Sequence, residues 1–280
     1  MKLIVEKNGE LLDYLYEHLD MPKKRVKQYL THGSIYVNYN KTTKYNYPLI
    51  VGMNIMIDTD NNQAKSFPFE ILFEDNHLLV INKPSGLPIF TKEKEKSLYQ
   101  IVRNYLREKE NNNHAFLIHS QDKDTSGIVV FAKNEKMKKK LLDNWQEYLT
   151  LQEYVVVVEG KMDREEDQII EYLKKSKGNL YYRTKENEGI KAIIEYKVLK
   201  EKQNYSLLEI KVKTNVKDQV RVILNNTKHH ILGDQKYGNK KDNYPRLLLH
   251  ANRLKFYYPE IKKEILMETA IPKEIKLIVK

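Results

Sequence analysis

Apolar residues recur at helical spacing between Leu11 and Leu19, where Leu11, Leu12, Leu15, Tyr16 and Leu19 share one face and predict a first helix. Asp20-Met21-Pro22 ends it, since proline cannot continue the hydrogen-bond ladder of a helix. A second helix is expected from about Lys23 to Thr31, stopped by His32-Gly33. The run S-I-Y-V-N then alternates like a strand and enters Asn38-Tyr39-Asn40-Lys41, a turn with hairpin character. A further short strand ends near Val51-Gly52, and alternation resumes from Asn54 to Asp58. These elements make a module of about 60 residues, close to the lower limit of independent stability. The polar, aperiodic stretch from Asp58 to Ser66 is expected to be a linker, which puts the domain boundary at 60 and a second domain over 61–280.

The rest of the chain is rich in strands. Ile71–Phe73 and His77–Asn82 flank an Asp75-Asn76 turn, and K-P-S-G-L-P at Lys83–Pro88 breaks the chain. Ser97 is positioned to cap a helix reaching about Glu110, and Asn111–Asn113 is a short polar loop. Strand Ile128–Ala132, helix Glu135–Tyr148 and strand Tyr154–Glu159 follow, with more strands near Ile190–Leu199, Ser206–Lys213 and Leu247–Phe256. Most links are too short for parallel crossovers, so the expected fold class is α+β, with a mixed, largely antiparallel sheet and a small α/β module at the N-terminus. No internal repeat is visible.

Composition narrows the function. Hydrophobic residues make up 41% and charged residues 31% of 280 positions, which suits a folded, soluble chain. A net charge of +11 points to a polyanionic partner, nucleic acid first, although the lysines are interspersed with acids as on an ordinary solvated surface. Cysteine is absent, which excludes disulfides and thiol chemistry and fits a reducing cytoplasm. No apolar stretch approaches a membrane span or a signal sequence, so a cytoplasmic protein is expected. His229-His230 and Asp234 lack the spacing of a metal set, and no phosphate-binding glycine loop is present. No metal and no cofactor are expected.

The densest chemical signal is H-S-Q-D-K-D-T-S-G-I-V-V-F-A-K-N, from His119 to Asn134. A polar turn there delivers Asp122 to the mouth of an apolar strand, where a scaffold can hold a nucleophile or base, and where a plain loop cap would look alike. Asp124-Thr125-Ser126-Gly127 is no aspartic-protease loop, because that chemistry needs a second such loop to supply a paired carboxylate.

Two resemblances sharpen this reading. L-L-D-Y-L-Y-E-H-L followed by P-K-K-R-V-K-Q-Y-L-T-H-G-S-I-Y-V-N resembles the S-four RNA-binding domain. That likeness implies RNA contact by Lys23, Lys24, Arg25 and Lys27; charge alone fits a solvated helix face equally well. From about Ile71 to Phe256 the chain resembles the RluA-type RNA pseudouridine synthases, which isomerise uridine in ribosomal or transfer RNA. The family's H-R-L-D-x-x-T-S-G motif is met by His119, Asp122, Thr125, Ser126 and Gly127. V-I-N-K-P-S-G-L, E-Y-V-V-V-V-E-G, D-Q-V-R-V, H-H-I-L-G-D-Q-K-Y-G and L-H-A-N-R-L-K-F-Y-Y-P match further blocks in order.

The resemblance implies Asp122 as the catalytic aspartate, acting as nucleophile on the anomeric carbon or as base on a sugar proton. It implies Tyr154 against the uracil and as acceptor of the carbon-5 proton, and Arg221 as the ion-pair partner that keeps Asp122 charged and aimed. His119 and Thr125 fall in the substrate site, with Leu87 and Val220 as apolar walls. RNA is the implied partner, and a monomer is expected. Departures are visible: Ser120 and Gln121 replace the motif's arginine and leucine, Gln152 replaces a basic residue, and Phe90 a histidine. T-N-V-K-D-Q-V-R at Thr214–Arg221 stands where the family has T-G-R-T-H-Q-I-R. These losses leave open a divergent enzyme or, as the alternative, a catalytically weak RNA-binding or ribosome-assembly factor.

Overall fold

A computed structural model describes residues 1–31, 33–38, 40–57, 67–91, 97–109, 114–239, 242 and 244–278. The expected linker over 58–66 and the polar loop over 111–113 lie outside the described residues. The chain divides into two compact units, Met1–Pro68 with Pro272–Glu274, and Phe69–Ile271 with Ile275–Lys280.

In the first unit the helical spacing resolves into α1 (Leu11–His18) and α2 (Lys23–Thr31). Leu11 and Leu15 of α1 and Val26 and Leu30 of α2 are fully buried, each pair four residues apart and so on one helix face. Gly33 follows α2 at φ 66, the left-handed geometry that glycine supplies without strain at a helix end. Strand β1 (Lys2–Ile4), which alternation did not foretell, pairs with β6 (Asn54–Ile57). With β3 (Ile35–Val37) and β4 (Asn40–Lys41) they form a sheet in the order β1-β6-β3-β4. A separate ribbon joins β2 (Gly9–Glu10) to β5 (Pro48–Leu49).

The second unit is built on one large sheet. Its strands are β7 (Glu70–Glu74), β8 (Leu78–Lys83), β9 (Phe116–His119), β10 (Ser126–Ala132), β11 (Leu149–Glu159) and β12 (Glu166–Lys175). They continue with β13 (Tyr181–Thr184), β14 (Ile190–Lys202), β15 (Tyr205–Val212), β16 (Leu249–Tyr258) and β17 (Lys263–Glu268). The order is β13-β12-β14-β15-β11-β16-β10-β8-β7, with β17 on β16 and β9 on β10. Only β10 and β16 run parallel among the described strand pairs, so the sheet is mixed and largely antiparallel, as the short links predict.

The central strands carry unbroken apolar runs because both faces are covered. Val156 and Val158 of β11 pack with Val220 and Ile223 of α5 (Gln219–Asn226). Val157 points the other way, onto Leu207, Leu248 and Ile275. Helix α4 (Glu135–Tyr148) lays Met137, Leu141 and Trp145 against Ile128 and Val130 of β10, and the Asn134 side chain caps its N-terminus by accepting from Met137 N at 2.9 Å. Ser97 likewise accepts from Gln100 N at 3.3 Å at the start of α3 (Leu98–Lys109). Among the described residues no helix is long and apolar enough to cross a membrane.

Candidate active site

Asp122 lies in the turn between β9 and β10, and the sequence around it explains why that turn holds still. Gly127 begins the close approach of β10 to β16. Its φ is +116, and a Cβ there would stand 2.1 Å from the Ala251 carbonyl oxygen, so only glycine fits. The buried Lys83 ammonium donates to the carbonyls of Pro84 (2.9 Å), Leu87 (3.1 Å) and Lys123 (2.9 Å). Gly86 N donates to the same Lys123 carbonyl at 2.9 Å, and Ser85 Oγ to that of Asp124 at 2.5 Å. The K-P-S-G segment is therefore a brace bonded to the two residues that follow Asp122 in the turn.

Asp122, Tyr154 and Arg221 line one cleft of about 670 Å³, together with His119, Thr125 and Val220. Arg221 Nη1 stands 3.7 Å from Asp122 Oδ2, an ion pair at longer range than the sequence anticipates. The close partner of Arg221 is Asp234, which accepts from Nε at 2.9 Å and from Nη2 at 2.5 Å. Such a bidentate clamp fixes the guanidinium plane. Asp234 also accepts from the backbone N–H groups of Lys236 and Tyr237. It was legible in the sequence only as an unlikely metal ligand; its role here is to aim Arg221. Leu87 departs from its expected place as an apolar wall: it is buried away from the cleft, which Pro88, Ile89 and Phe90 line instead. Phe90 is 60% exposed and leans on Tyr99, with 5.1 Å between ring centroids.

A carboxylate, a fixed guanidinium and an aromatic ring in a cleft this size suit acid–base or nucleophilic chemistry on a flat base with its sugar. Among the described residues no group of histidines and acids is arranged to hold a metal. The family model described as RNA pseudouridylate synthase matches residues 77–226. The chain belongs to the RNA pseudouridine synthase family, of the RluA type. The synthase is 29% identical over 224 residues to the tRNA pseudouridine synthase C of Vibrio parahaemolyticus, covering 72% of this chain and 90% of the relative. It is 28% identical over 283 residues to the ribosomal large subunit pseudouridine synthase C of Buchnera aphidicola, covering 93% and 89%. The structure of human RNA pseudouridylate synthase domain containing 4 superposes with a TM-score of 0.63 at 20% identity, covering 74% of the synthase and 90% of the human chain, a likeness of fold.

Two departures of the synthase from the family motif, Gln121 and Gln152, prove to be neighbours. Gln152 Nε2 donates to the Tyr154 hydroxyl at 2.6 Å, and that hydroxyl donates to Gln121 Oε1 at 3.1 Å. Both amides also approach His119 Nε2, at 3.3 Å from Gln121 and 3.4 Å from Gln152. Two substitutions distant in sequence thus make one network around the tyrosine, which the sequence could reveal only through knowledge of strand register. Burial pushes the Tyr154 phenol up to about 12, so its hydroxyl stays neutral. Desolvation pushes His119 down to about 4, which keeps the imidazole neutral as well.

Asp122 is not held ionised as Arg221 alone would hold it. Burial first, and then the neighbouring Asp218 carboxyl, push it up to about 7, outweighing the lowering by Arg221 and Lys217. Asp218 sits just before α5 at φ 59, a left-handed conformation that aspartate tolerates better than most residues.

Proposed function

We propose that the synthase isomerises a uridine of ribosomal or transfer RNA with Asp122 as its catalytic carboxylate. The observation that carries this reading is the meeting of Asp122, Arg221 and Tyr154 in one cleft. The uridine must leave its stack, at a cost of about a few kcal/mol for a paired base and less in a loop. Asp122 then either attacks the anomeric carbon, with the uracil leaving as its N1 anion, or removes a sugar proton to give a glycal and the same leaving group. The freed uracil turns and bonds through carbon-5 to the anomeric carbon, displacing the Asp122 carboxylate in the first route or with return of the sugar proton from Asp122 in the second; carbon-5 then loses its proton and N1 gains one. Arg221 offsets the carboxylate charge and is itself aimed by Asp234. Val220 and the Tyr154 ring bound the base, with His119 and Thr125 beside them. Carbon-5 is next to a carbonyl, so once it is tetrahedral its proton needs only a weak base, and the neutral Tyr154 oxygen is assigned that part.

Base displacement falls to the rim, where Phe90 offers an exposed ring in place of the missing motif arginine. An aromatic side chain can occupy the place of an extruded base at little cost in sequence preference. Residues 1–60 serve as the S-four-like RNA-binding domain and 61–280 as the catalytic domain. Lys23, Lys24, Arg25 and Lys27 are exposed on α2, and its first turn carries no acid. Positive charge there opposes the helix dipole, a cost that bound phosphate would relieve. The protein is taken to work as a monomer in the cytoplasm.

The test is pseudouridine mapping of ribosomal and transfer RNA from cells lacking the gene, complemented with wild type or Asp122→Asn. A site lost on deletion and restored by wild type alone is expected. Restoration by Asp122→Asn would overturn the assignment of Asp122.

A further inference from the structure

Asp218 occupies the position where the family motif carries histidine, and its surroundings give it a role of its own. Its side chain is fully buried. One oxygen, Oδ2, accepts from the Lys236 ammonium, and also from the Tyr237 hydroxyl at 2.8 Å. The other, Oδ1, is buried without a donor. Asp122 and Asp218 line the same cleft, close enough that each carboxyl acts on the other's proton. Two carboxylates in contact cannot both stay ionised without a large cost, so the pair retains a proton. Lys236 and Tyr237 stabilise the charge on Asp218, whereas among the described residues the cation paired with Asp122 is Arg221, at the longer distance of 3.7 Å. The shared proton therefore sits on Asp122 and is directed to Asp218, which has an acceptor oxygen to spare.

We propose that Asp218 is a positioning residue that holds Asp122 through a shared proton, so that loss of this proton gates isomerisation by the synthase. The inference rests on Asp122 being the catalytic carboxylate. With the proton in place, Asp122 can neither attack the anomeric carbon nor accept a sugar proton. With the proton gone, the charge of Asp122 faces Arg221 and Lys217 on one side and the fixed charge of Asp218 on the other. The same contact that delays ionisation makes the resulting carboxylate more basic than an isolated one. Burial opposes ionisation of Asp122, and desolvation opposes protonation of Lys83, the other group of this site brought near neutrality. Tyr154 stays neutral throughout, and Arg221 stays charged.

The experiment follows release of tritium from uracil carbon-5 in bulk RNA taken from cells lacking the gene, under single-turnover conditions and across pH 5–9. Wild type should gain activity as pH rises through about neutrality. Asp218→Asn keeps a residue that accepts the left-handed conformation, removes the second charge and supplies an amide donor to Asp122. Its rising limb should move to lower pH by about one to three units. Lys236→Met removes a cation from the pair and should move the limb to higher pH. Opposite shifts are the signature of a shared proton; a limb set by Lys83 would stay in place in both variants. Asp122→Asn separates the two levels of the reading. Turnover by Asp122→Asn would sink the catalytic assignment itself. An inactive Asp122→Asn combined with an unmoved limb in Asp218→Asn, or shifts of one sign in both variants, would overturn the role of Asp218 alone. If Asp218→Asn fails to fold, the alkaline shift in Lys236→Met carries the test, and its absence overturns the proposal.

Discussion

At the scale of single residues, the site trades stability for reactivity. A carboxyl raised to about 7 favours the fold while protonated and loses that contribution as pH climbs from about 4 through 7. At pH 8 the ionised Asp122 beside Asp218 works against the folded state. Asp122→Asn should therefore melt at a higher temperature than wild type at pH 8, with the gap closing towards pH 5 in scanning calorimetry. A gap of constant size would mean that Asp122 carries no raised carboxyl. Tyr154 makes a second residue-scale test, because Tyr154→Phe keeps the ring and deletes only the hydroxyl held by Gln121 and Gln152. Loss of a proton acceptor should lower the single-turnover rate by about a hundredfold or more while RNA affinity holds. A rate within threefold of wild type would leave Tyr154 as a stacking surface and no more. Asp122, Tyr154 and Arg221 were legible because each falls in a spaced motif block. Asp218 and Asp234 were not legible as partners, because a carboxylate's role depends on which cation or acid it faces across the fold.

At the scale of elements, β10 and the loop before it are the parts most tightly specified. Gly127→Ala forces a Cβ against the Ala251 backbone at a positive φ, with no flexible side chain to yield. It should cost about 3 kcal/mol or more in urea unfolding, since steric overlap adds to backbone strain. A loss below 1 kcal/mol would mean that β10 and β16 separate more easily than their register implies. Helices α1, α2 and α4 and strands β8, β10 and β11 could be read from periodicity because each buries a defined apolar face or run. Strands β9, β12, β13 and β17 escaped notice for opposite reasons. The run F-L-I-H of β9 is short and sits next to the polar Asp122 turn. In E-D-Q-I-I-E-Y-L-K-K of β12, solvent-facing charges break the apolar pattern, and Ile170 is 46% exposed. Strands towards the end of the sheet with one wet face lack the unbroken apolar runs of the central ones.

At the scale of the whole molecule, a net charge of +11 is the sequence property most directly tied to the partner. RNA affinity should fall steeply with salt. Lys24→Glu with Arg25→Glu should weaken binding and flatten that slope by about two charges' worth, without altering the pH dependence of chemistry. An unchanged slope would remove α2 from the RNA interface. Binding and chemistry are thus assigned to separate groups, and one experiment measures both. Wild type and Asp122→Asn are compared for tritium release from carbon-5-labelled RNA, with RNA affinity taken on the same preparations. Full loss of release with affinity within about twofold of wild type is the predicted result. Release persisting in Asp122→Asn, with RNA bound as tightly, would contradict the account at its centre.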